Sequence, residues 1–351
     1  MNKEFLDLVK KLIDTHSLTL EEYEKLILFR NKDSAAYLAE KADEVRREIY
    51  GNKVFVRGLI EISNICKKDC LYCGIRKSNQ NCERYRLNKE EILECCKEGY
   101  SLGFRTFVLQ GGEDGHFTDE TVCEIVSEIK SLYPDCAVTL SLGERSKESY
   151  QKLFDSGADR YLLRHETATK EHYEKLHPKS VSFENRMECL ENLKEIGYQT
   201  GCGFMVGSPF QTTAHLAKDL KFVEEFSPEM CGIGPFIPHT DTQFRNCDAG
   251  SVDLTCYLLS VIRLIKPNIL LPATTALGSL DPYGREKGIK AGANVIMPNL
   301  SPSSARKKYQ IYNNKLSDGT ESAQNKANID KRMSAIGYRT VAERGDIERK
   351  I

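Results

Sequence analysis

The sequence lacks tryptophan, long apolar runs and an excess of either charge. Its 351 residues include 50 Lys and Arg against 51 Asp and Glu, which gives a net charge of −1. A balanced charge provides no broad attraction to nucleic acid or to an anionic membrane. No apolar stretch approaches the ~20 residues that cross a bilayer, and the first residues mix charged with apolar side chains, unlike a secretory signal. We therefore expect a soluble cytoplasmic protein.

A glycine-rich dinucleotide turn is also missing, because no G-x-G-x-x-G follows the first apolar strand. What the chain does contain is an alternation of apolar strands with amphipathic helices. The first predicted strand is β-rich and spans 54–63, and seven more follow at 104–110, 137–143, 159–166, 200–207, 229–237, 269–275 and 294–299. Strands that alternate with helices specify a parallel sheet. Eight such units predict an α/β fold of the (β/α)8 TIM-barrel type, with an open doubly wound sheet as the alternative.

The chain on either side of this alternation reads differently. Residues 1–50 predict a helical extension packed on the barrel, with apolar positions at three- and four-residue spacing. Within it, Thr19 and Glu22 form a capping-box pattern, and Gly51 follows the third predicted helix. We assign 51–300 to the barrel and 301–351 to a C-terminal extension with one short helix.

Cysteine is plentiful, and three of the thirteen stand close together as C-x3-C-x2-C at Cys66, Cys70 and Cys73. Thiolates of this kind hold iron–sulfur clusters, and three of them leave one iron of a [4Fe–4S] cube open to a ligand. A three-cysteine zinc site and three unrelated buried cysteines are the alternatives. Most other cysteines fall in or beside predicted helices and strands and are interpreted as small apolar residues: Cys95, Cys96, Cys123, Cys136, Cys189, Cys202, Cys231 and Cys256. Cys82 is interpreted as structural and Cys247 as incidental.

Polar residues gather where the predicted strands end, which is where a β/α barrel places its active site. The second strand ends at Gln110-Gly111-Gly112-Glu113, and paired glycines expose backbone to a ligand. Thr139, Ser141 and Glu144 end the third strand. In the fourth, Arg160, Arg164 and Glu166 are expected to share one face, either as an internal salt bridge or around a ligand with carboxylate and ammonium groups.

Three further groups complete the candidate set. Thr274 and Thr275 place hydroxyls at the end of the seventh strand, which suits a small polar or anionic ligand. Arg186, on a helix, is a candidate carboxylate clamp or a surface residue. His239 and Asp241 are expected to order their loop through a hydrogen bond.

These motifs together resemble the radical S-adenosylmethionine (SAM) superfamily. The segments EISNICKKDCLYCGIRKSNQNCERYRL, VLQGGED, ADRYLLRHET, GIGPFIPHTDT and LPATTALG are similar to the HydE family of [FeFe]-hydrogenase maturases. The resemblance spans about residues 50–315. It implies a radical SAM enzyme with one [4Fe–4S] cluster, which cleaves SAM reductively to a 5′-deoxyadenosyl radical in assembly of the hydrogenase H-cluster.

The resemblance also implies roles for residues of this chain. Cys66, Cys70 and Cys73 would ligate the cluster. Contacts to SAM would come from Tyr72, Gln110, Gly111, Gly112, Glu113, Thr139, Ser141, Arg164, Glu166, Arg186, Met205 and Tyr309. A second, organometallic or small-molecule substrate would be held by Arg160, Thr274 and Thr275. The implied partners are the HydG and HydF maturases and a low-potential electron donor, with no nucleic acid and no membrane.

One feature departs from part of that family. Some HydE-like chains carry three C-terminal cysteines for an accessory cluster, whereas no cysteine follows Cys256 here. We therefore expect a single cluster. The alternative functions are a methylornithine synthase of the PylB type, a biotin-synthase-like enzyme, and a non-catalytic iron–sulfur scaffold.

Overall fold

The computed structural model describes residues 2–317 and 322–347. Parts of the predicted C-terminal extension, 318–321 and 348–351, lie outside the described residues, as does Met1. The three N-terminal helices are present as α1 Lys3–Thr15, α2 Leu20–Leu28 and α3 Lys32–Tyr50. The capping box of Thr19 and Glu22 forms as predicted, and Gly51 ends α3. The N-cap of α3 is Asn31, whose side chain accepts from the amides of the first turn.

The strands that follow are short. They are β1 Lys53–Val56, β2 Gly58–Ser63, β3 Thr106–Gly111, β4 Ala137–Ser141, β5 Arg160–Leu162, β6 Gln199–Cys202, β7 Met205–Val206, β8 Met230–Cys231, β9 Gly234–Pro235, β10 Val295–Ile296 and β11 Arg339–Val341. The intervening helices are α4 Lys89–Ser101, α5 Asp119–Leu132, α6 Lys147–Asp155, α7 Lys170–Leu176, α8 Phe183–Ile196, α9 Thr213–Phe226, α10 Val252–Ile265, α11 Thr275–Leu280, α12 Gly284–Lys290, α13 Ser303–Arg306 and α14 Lys326–Ala335, with a 3₁₀ turn at Ala323–Asn325.

Six strands form one continuous parallel sheet in the order β2-β3-β4-β5-β6-β8. Isolated parallel bridges extend the neighbour relations from Met230 to Leu270, from Pro272 to Val295 and from Asn299 back to Leu59. The predicted α/β fold with parallel strands is therefore confirmed. The seventh and eighth predicted strands contribute mainly these bridges. The last strands of the predicted barrel are therefore joined to their neighbours by single bridges, where continuous hydrogen-bonded ladders were expected.

The apolar core between sheet and helices determines which strand residues face inward. Ile60, Leu109 and Leu140 pack with helical residues such as Ile92 and Val122 in the main core cluster. Successive side chains of a strand point to opposite faces. The polar neighbours of these apolar positions therefore face the interior enclosed by the strands: Glu61, Gln110, Thr139 and Ser141.

The last described residues block the amino-terminal end of the strands, which the sequence did not indicate. β11 pairs in parallel with β1. The segment that follows, residues 343–347, packs against the amino-terminal ends of the strands, and we call it the C-terminal plug. There, Arg57 donates to the carbonyl oxygen of Gly345 and Arg160 forms an ion pair with Asp346. We propose to retain the three-part division at 50 and 300, with the N-terminal helices packed on α9, α10 and α12 and the C-terminal part packed on the strands.

Arg160 requires a correction, because the predicted strand 159–166 is β5 Arg160–Leu162 only. Arg160 therefore does not share a strand face with Arg164 and Glu166. Its fully buried guanidinium donates to Thr106, to the carbonyl oxygen of Arg344 and to Asp346, at the end of the strands opposite the cysteine loop. The expected internal salt bridge forms between Arg164 and Glu166, but Arg160 pairs instead with Asp346 of the C-terminal plug. We therefore withdraw Arg160 from the proposed substrate site.

We predict that Asp346→Asn destabilises the protein by about 2 kcal/mol at neutral pH. This is less than the 3–5 kcal/mol for breaking a fully buried pair, because the Asp346 side chain is 39% exposed. Burial opposes ionisation, but Arg344 and Arg160 outweigh it and lower the pKa of Asp346. Because the pKa of Asp346 is lower in the folded state, its ionised carboxylate stabilises the fold at pH values above the unfolded-state pKa of about 3.9. This stabilisation is lost as the pH falls below that value.

Urea unfolding at several pH values checks this prediction. The difference in free energy of unfolding between the wild type and Asp346→Asn should become smaller as the pH falls below about 4. Asp7→Asn, at an exposed position of α1, is the control and should change stability by less than about 0.5 kcal/mol. A gap that stays constant with pH would contradict the assigned ion pair.

Candidate functional site

The three predicted cluster ligands lie in an irregular loop between β2 and α4. Cys66, Cys70 and Cys73 are all half-buried, and the loop has almost no regular backbone pairing. Arg84 provides hydrogen-bond donors for the backbone of this loop. Its guanidinium donates to the carbonyl oxygens of Asn64, Ile75, Arg76 and Asn79. Buried carbonyl groups need such partners, so Arg84 fixes the shape of the loop.

The environment of the three thiols suits a metal cluster. Burial raises the pKa of Cys66, raises that of Cys70 to about 12 and raises that of Cys73 strongly. Such thiols become thiolates when a metal supplies the compensating positive charge. A [4Fe–4S] cubane takes Cys thiolates and places each of them on a different iron. Three half-buried thiols within one loop are therefore a donor set that fits such a cluster.

The glycine turn at the end of β3 is fitted tightly to the cysteine loop. The amide of Gly112 donates to the carbonyl oxygen of Ser63, and the amide of Glu113 donates to the sulfur of Cys66 at 3.3 Å. A Cβ atom at position 112 would lie 2.3 Å from the carbonyl oxygen of Ile65 and 2.8 Å from the Cβ of Cys66. Only glycine permits this approach.

We predict that Gly112→Ala misplaces Cys66 and lowers the iron and sulfide bound after anaerobic reconstitution. The added methyl group must displace the loop, at a cost of about 1–3 kcal/mol. Gly115→Ala is the matched control, because nothing lies within 4 Å of a Cβ atom at that position. Equal iron contents in both variants would show that the close approach at Gly112 does not position the ligand.

A chain of alternating charges connects the cysteine loop to strand ends and to α8. Lys68 forms an ion pair with Glu144 at 2.6 Å, and Glu144 accepts from Arg186 at 2.7 Å. Arg186 also donates to the carbonyl oxygen of Arg164. Burial opposes ionisation of Glu144, but Arg186 and Lys68 outweigh it, so the pKa of Glu144 is lowered. Burial raises the pKa of Glu113, which lies 3.8 Å from Lys68.

Glu166 has an unusual backbone conformation. Its φ of 65° lies in the left-handed region, which costs a non-glycine residue roughly 1 kcal/mol or more and is common at functional sites. Its amide donates to the carbonyl oxygen of Gly203, which holds this conformation. The carboxylate lies 3.0 Å from the guanidinium of Arg164, as an ion pair without hydrogen-bond alignment.

Several buried polar atoms of this region have no hydrogen-bond partner among the described residues. They are Glu113 Oε2, Thr139 Oγ1, Arg164 Nε and Nη2, Glu166 Oε2 and Thr274 Oγ1. Buried polar groups without partners are costly, so this set is poised for a ligand. Carboxylates suit the ammonium group and hydroxyls of SAM, and guanidinium and hydroxyl groups suit its carboxylate.

The other predicted SAM contacts occupy the same end of the strands. Tyr72 lies against His177, with its hydroxyl 3.3 Å from Nε2. Gln110 donates to the hydroxyl of the buried Tyr309. Ser141 is half-buried at the end of β4, and Met205 packs in a small apolar cluster that Tyr72 adjoins.

Residues of the loops after the later strands also have defined positions. Thr274 precedes α11 and its hydroxyl approaches Gly234, while Thr275 accepts from Arg285. His239 accepts from the amide of Asp241, and the Asp241 carboxylate accepts from Asn79 and Asn81 of the cysteine loop. The expected loop-ordering hydrogen bond is therefore present.

Sequence reasoning missed several residues that shape the site. Arg84 was overlooked because its partners are backbone carbonyls, which have no sequence signature. Lys68 lies within the cysteine motif, yet its partner Glu144 is 76 residues away. Glu61 and Lys315 form a buried ion pair at 2.8 Å, and the one available signal was a carboxylate inside an apolar strand.

Comparison with known proteins identifies this arrangement. The sequence model of the Radical SAM superfamily matches residues 60–223. The [FeFe] hydrogenase maturase subunit HydE of Thermotoga maritima is 46% identical over 310 residues, covering 88% of both chains. The crystal structure of methylornithine synthase (PylB) superposes with a TM-score of 0.82 at 27% identity, covering 95% of this chain and 97% of that one. A crystal structure of the maturase HydG gives 0.79 at 21% identity, covering 96% and 76%.

The parallel α/β fold and the three-cysteine loop define a radical SAM enzyme, and its class implies a [4Fe–4S] cluster and SAM. The identity shared along most of both chains narrows the assignment further. The chain belongs to the HydE family. Within the described residues, no helix has the length and apolar content needed to span a membrane.

Proposed function

We propose that this enzyme acts in assembly of the diiron subsite of the [FeFe]-hydrogenase H-cluster. The observation that carries the proposal is the 46% identity to HydE over 88% of both chains. The proposed partners are the HydG and HydF maturases and a low-potential electron donor. The second substrate is a small-molecule or organometallic species held near Thr274 and Thr275.

The proposed cluster ligands are Cys66, Cys70 and Cys73. When bound, the cluster and SAM supply a 5′-deoxyadenosyl radical by reductive cleavage of SAM. Glu113, Thr139, Arg164 and Glu166 each have a buried polar atom that makes no hydrogen bond within the described residues, which supports direct contacts to SAM. The Lys68, Glu144 and Arg186 chain supports a positioning role, because two donors of Arg186 are already engaged. Gly111 and Gly112 let the backbone approach, and Tyr72, Gln110, Ser141, Met205 and Tyr309 complete the proposed SAM set.

A radical enzyme must keep water and stray reactants away from the reacting atoms. Two features of this chain support such protection. The C-terminal plug fills the amino-terminal end of the strands, and Tyr309 and Lys315 are buried over the opposite end. The protein supplies binding, orientation and exclusion, while the cofactor supplies the chemistry.

A hydrogenase maturation assay tests the proposal. Apo-hydrogenase incubated with HydF, HydG, SAM and a reductant, but without HydE, should remain inactive. Addition of this protein should restore hydrogen evolution, whereas its Cys70→Ala variant should not. Full 5′-deoxyadenosine formation without any hydrogenase activation would reject the maturase role while leaving SAM cleavage intact.

The TM-score of 0.82 to methylornithine synthase favours that activity as the second candidate. Formation of methylornithine in cells that lack their own synthase would support it. The scaffold interpretation is not retained, because the family to which the chain belongs consists of enzymes.

We predict that reconstituted wild-type protein binds about four irons, those of one [4Fe–4S] cluster. The reason is that no cysteine follows Cys256, so the C-terminal segment offers no thiolates to a second cluster. Iron and sulfide analysis after removal of unbound metal is the measurement. A content near eight irons with a second spectroscopic signal would contradict the prediction.

A further inference from the structure

The last turn of α7 is attached to the cysteine loop. The amide of Leu71 donates to the carbonyl oxygen of Leu176 at 3.0 Å, and the Tyr72 hydroxyl lies 3.3 Å from Nε2 of His177. Burial lowers the pKa of His177 to about 3, so its ring carries one proton at neutral pH. That proton is on Nδ1, because Nδ1 lies 2.9 Å from the carbonyl oxygen of Tyr173, which can only accept. Nε2 therefore accepts from Tyr72.

The ring of Tyr173, one turn before His177, is held on two sides. It stacks on His177, with ring centres 3.9 Å apart and 22° between the planes. Its other contact is edge-to-face with Phe183, at 5.5 Å between centres. The residue is fully buried. Such contacts in a close-packed interior fix the orientation of a ring, so the Tyr173 hydroxyl has a defined position.

This hydroxyl has no hydrogen-bond partner among the described residues. Other buried tyrosines of the chain do have one, since Tyr161 donates to the carbonyl oxygen of Gly143 and Tyr198 to that of Tyr150. A buried hydroxyl without a partner is costly, and tyrosine hydroxyls usually find one. The exception at Tyr173 indicates a hydroxyl whose partner is a bound molecule.

The charged groups that act on the Tyr173 phenol place it near the proposed SAM site. Burial raises the pKa of Tyr173, Arg186 opposes this rise, and Glu144, Cys70 and Glu166 add to it. Burial likewise opposes the charge of Arg186, but Tyr173 and Glu144 outweigh it and raise the pKa of Arg186. Cys70 is a proposed cluster ligand and Glu166 a proposed SAM contact. The phenol therefore lies within electrostatic range of both.

We propose that Tyr173 is a further SAM-binding residue, whose hydroxyl donates a hydrogen bond to the carboxylate of SAM. This inference rests on the proposed SAM site. The carboxylate is the strongest acceptor that SAM offers, whereas its ammonium group only donates. Glu113 and Glu166 supply acceptors for the ammonium group and the hydroxyls of SAM. Tyr173 adds a neutral donor for the carboxylate beside the guanidinium of Arg164.

The test compares Tyr173→Phe with the wild type in the reconstituted holoenzyme. The cluster is kept oxidised, so that SAM binds without being cleaved. Tyr257→Phe is the matched control, because Tyr257 is also buried, but its hydroxyl donates to the carbonyl oxygen of Leu26 at 2.6 Å, between α10 and α2. The probes are SAM and decarboxylated SAM, which lacks only the carboxylate. Their dissociation constants are measured by calorimetric titration.

We expect Tyr173→Phe to bind SAM about 10–100-fold more weakly, as for loss of a hydrogen bond to a charged group. Decarboxylated SAM should bind equally to the variant and the wild type. The control should match the wild type with both compounds.

Thermal unfolding without SAM separates a ligand contact from a structural role. Tyr173→Phe should not lower the midpoint, because phenylalanine keeps the ring contacts and no hydrogen bond within the protein is lost. Tyr257→Phe should lower it, because the carbonyl group of Leu26 loses its donor. A midpoint that falls as far in Tyr173→Phe as in Tyr257→Phe would overturn the proposal.

Three binding results would also overturn it. They are unchanged SAM affinity in Tyr173→Phe, an equal loss of affinity for decarboxylated SAM, and an altered cluster absorption spectrum in the absence of SAM. The last result would assign the hydroxyl to a cluster sulfur. Failure of the wild type itself to bind SAM would instead refute the proposed SAM site, so the two failures are distinguishable.

Discussion

Replacement of Cys70 by alanine is expected to abolish conversion of SAM to 5′-deoxyadenosine. Cys70 is one of three thiols in a motif with no spare ligand at the same spacing. Burial raises its pKa to about 12, so it becomes a thiolate only when a bound metal supplies positive charge. Without Cys70 the cluster has only two protein thiolates. Dithionite-reduced protein should therefore form product below the detection limit, with iron content and visible absorption strongly reduced.

Cys82→Ala is the matched control for this prediction. Cys82 lies nine residues beyond Cys73, and its sulfur accepts from the side chain of Asn64 at 3.5 Å. We interpret it as structural, so its variant should keep its iron and its 5′-deoxyadenosine formation. Wild-type iron content in Cys70→Ala combined with iron loss in Cys82→Ala would show that the ligand set is wrong.

Replacement of Lys315 by methionine is expected to destabilise the protein by about 3–5 kcal/mol. Lys315 is 5% exposed and its ammonium lies 2.8 Å from the fully buried carboxylate of Glu61. Loss of one partner leaves an uncompensated buried charge. Asn299 also donates to Glu61, but a neutral amide does not replace the cation.

The same substitution should weaken SAM binding. Lys315 lies 5.3 Å from the ring centre of Tyr309, so the ion pair holds the segment that carries this proposed SAM contact against β2. Urea unfolding and the SAM concentration dependence of 5′-deoxyadenosine formation are the measurements. The double variant Glu61→Gln/Lys315→Met removes both charges and should recover part of the stability.

Lys287→Met provides the comparison for a solvent-exposed pair. Its ammonium lies 2.6 Å from Asp281, with a side chain that is 49% exposed. Such pairs contribute about 0–1 kcal/mol. A Lys315→Met variant no less stable than Lys287→Met would show that the Glu61 pair does not hold the segment.

Two ends of the strand assembly are thus closed by different parts of the C-terminal chain. Lys315 and Tyr309 lie over the carboxyl ends, and the C-terminal plug fills the amino ends. The region after 300, predicted as a short helical extension, therefore completes the interior. Its helix Lys326–Ala335 was expected, whereas β11 and the plug were not. The C-terminal plug is recognised only from the tertiary structure, in which Arg57 and Arg160 form hydrogen bonds with it.

At the site, the cysteine spacing and the paired glycines were recognisable because their chemistry is local in sequence. A motif within eight residues holds all three proposed cluster ligands, and Gly112 follows its strand directly. Arg160 was misjudged for the opposite reason. A strand pattern of eight residues suggested one shared face with Arg164 and Glu166, but the strand ends at Leu162 and the chain turns with Glu166 in the left-handed region.

The sequence by itself determined the parallel α/β alternation, because apolar periodicity is a property of neighbouring residues. The class of cofactor and the family followed from the resemblance of its segments to a known family, since the cysteine spacing alone left a zinc site open. Only the tertiary structure decided which charges meet. Lys68 with Glu144, Glu61 with Lys315 and Arg160 with Asp346 are pairs separated by 76 to 254 residues. Such pairs depend on how the strands and the C-terminal segments pack, and no local pattern specifies a partner so far along the chain.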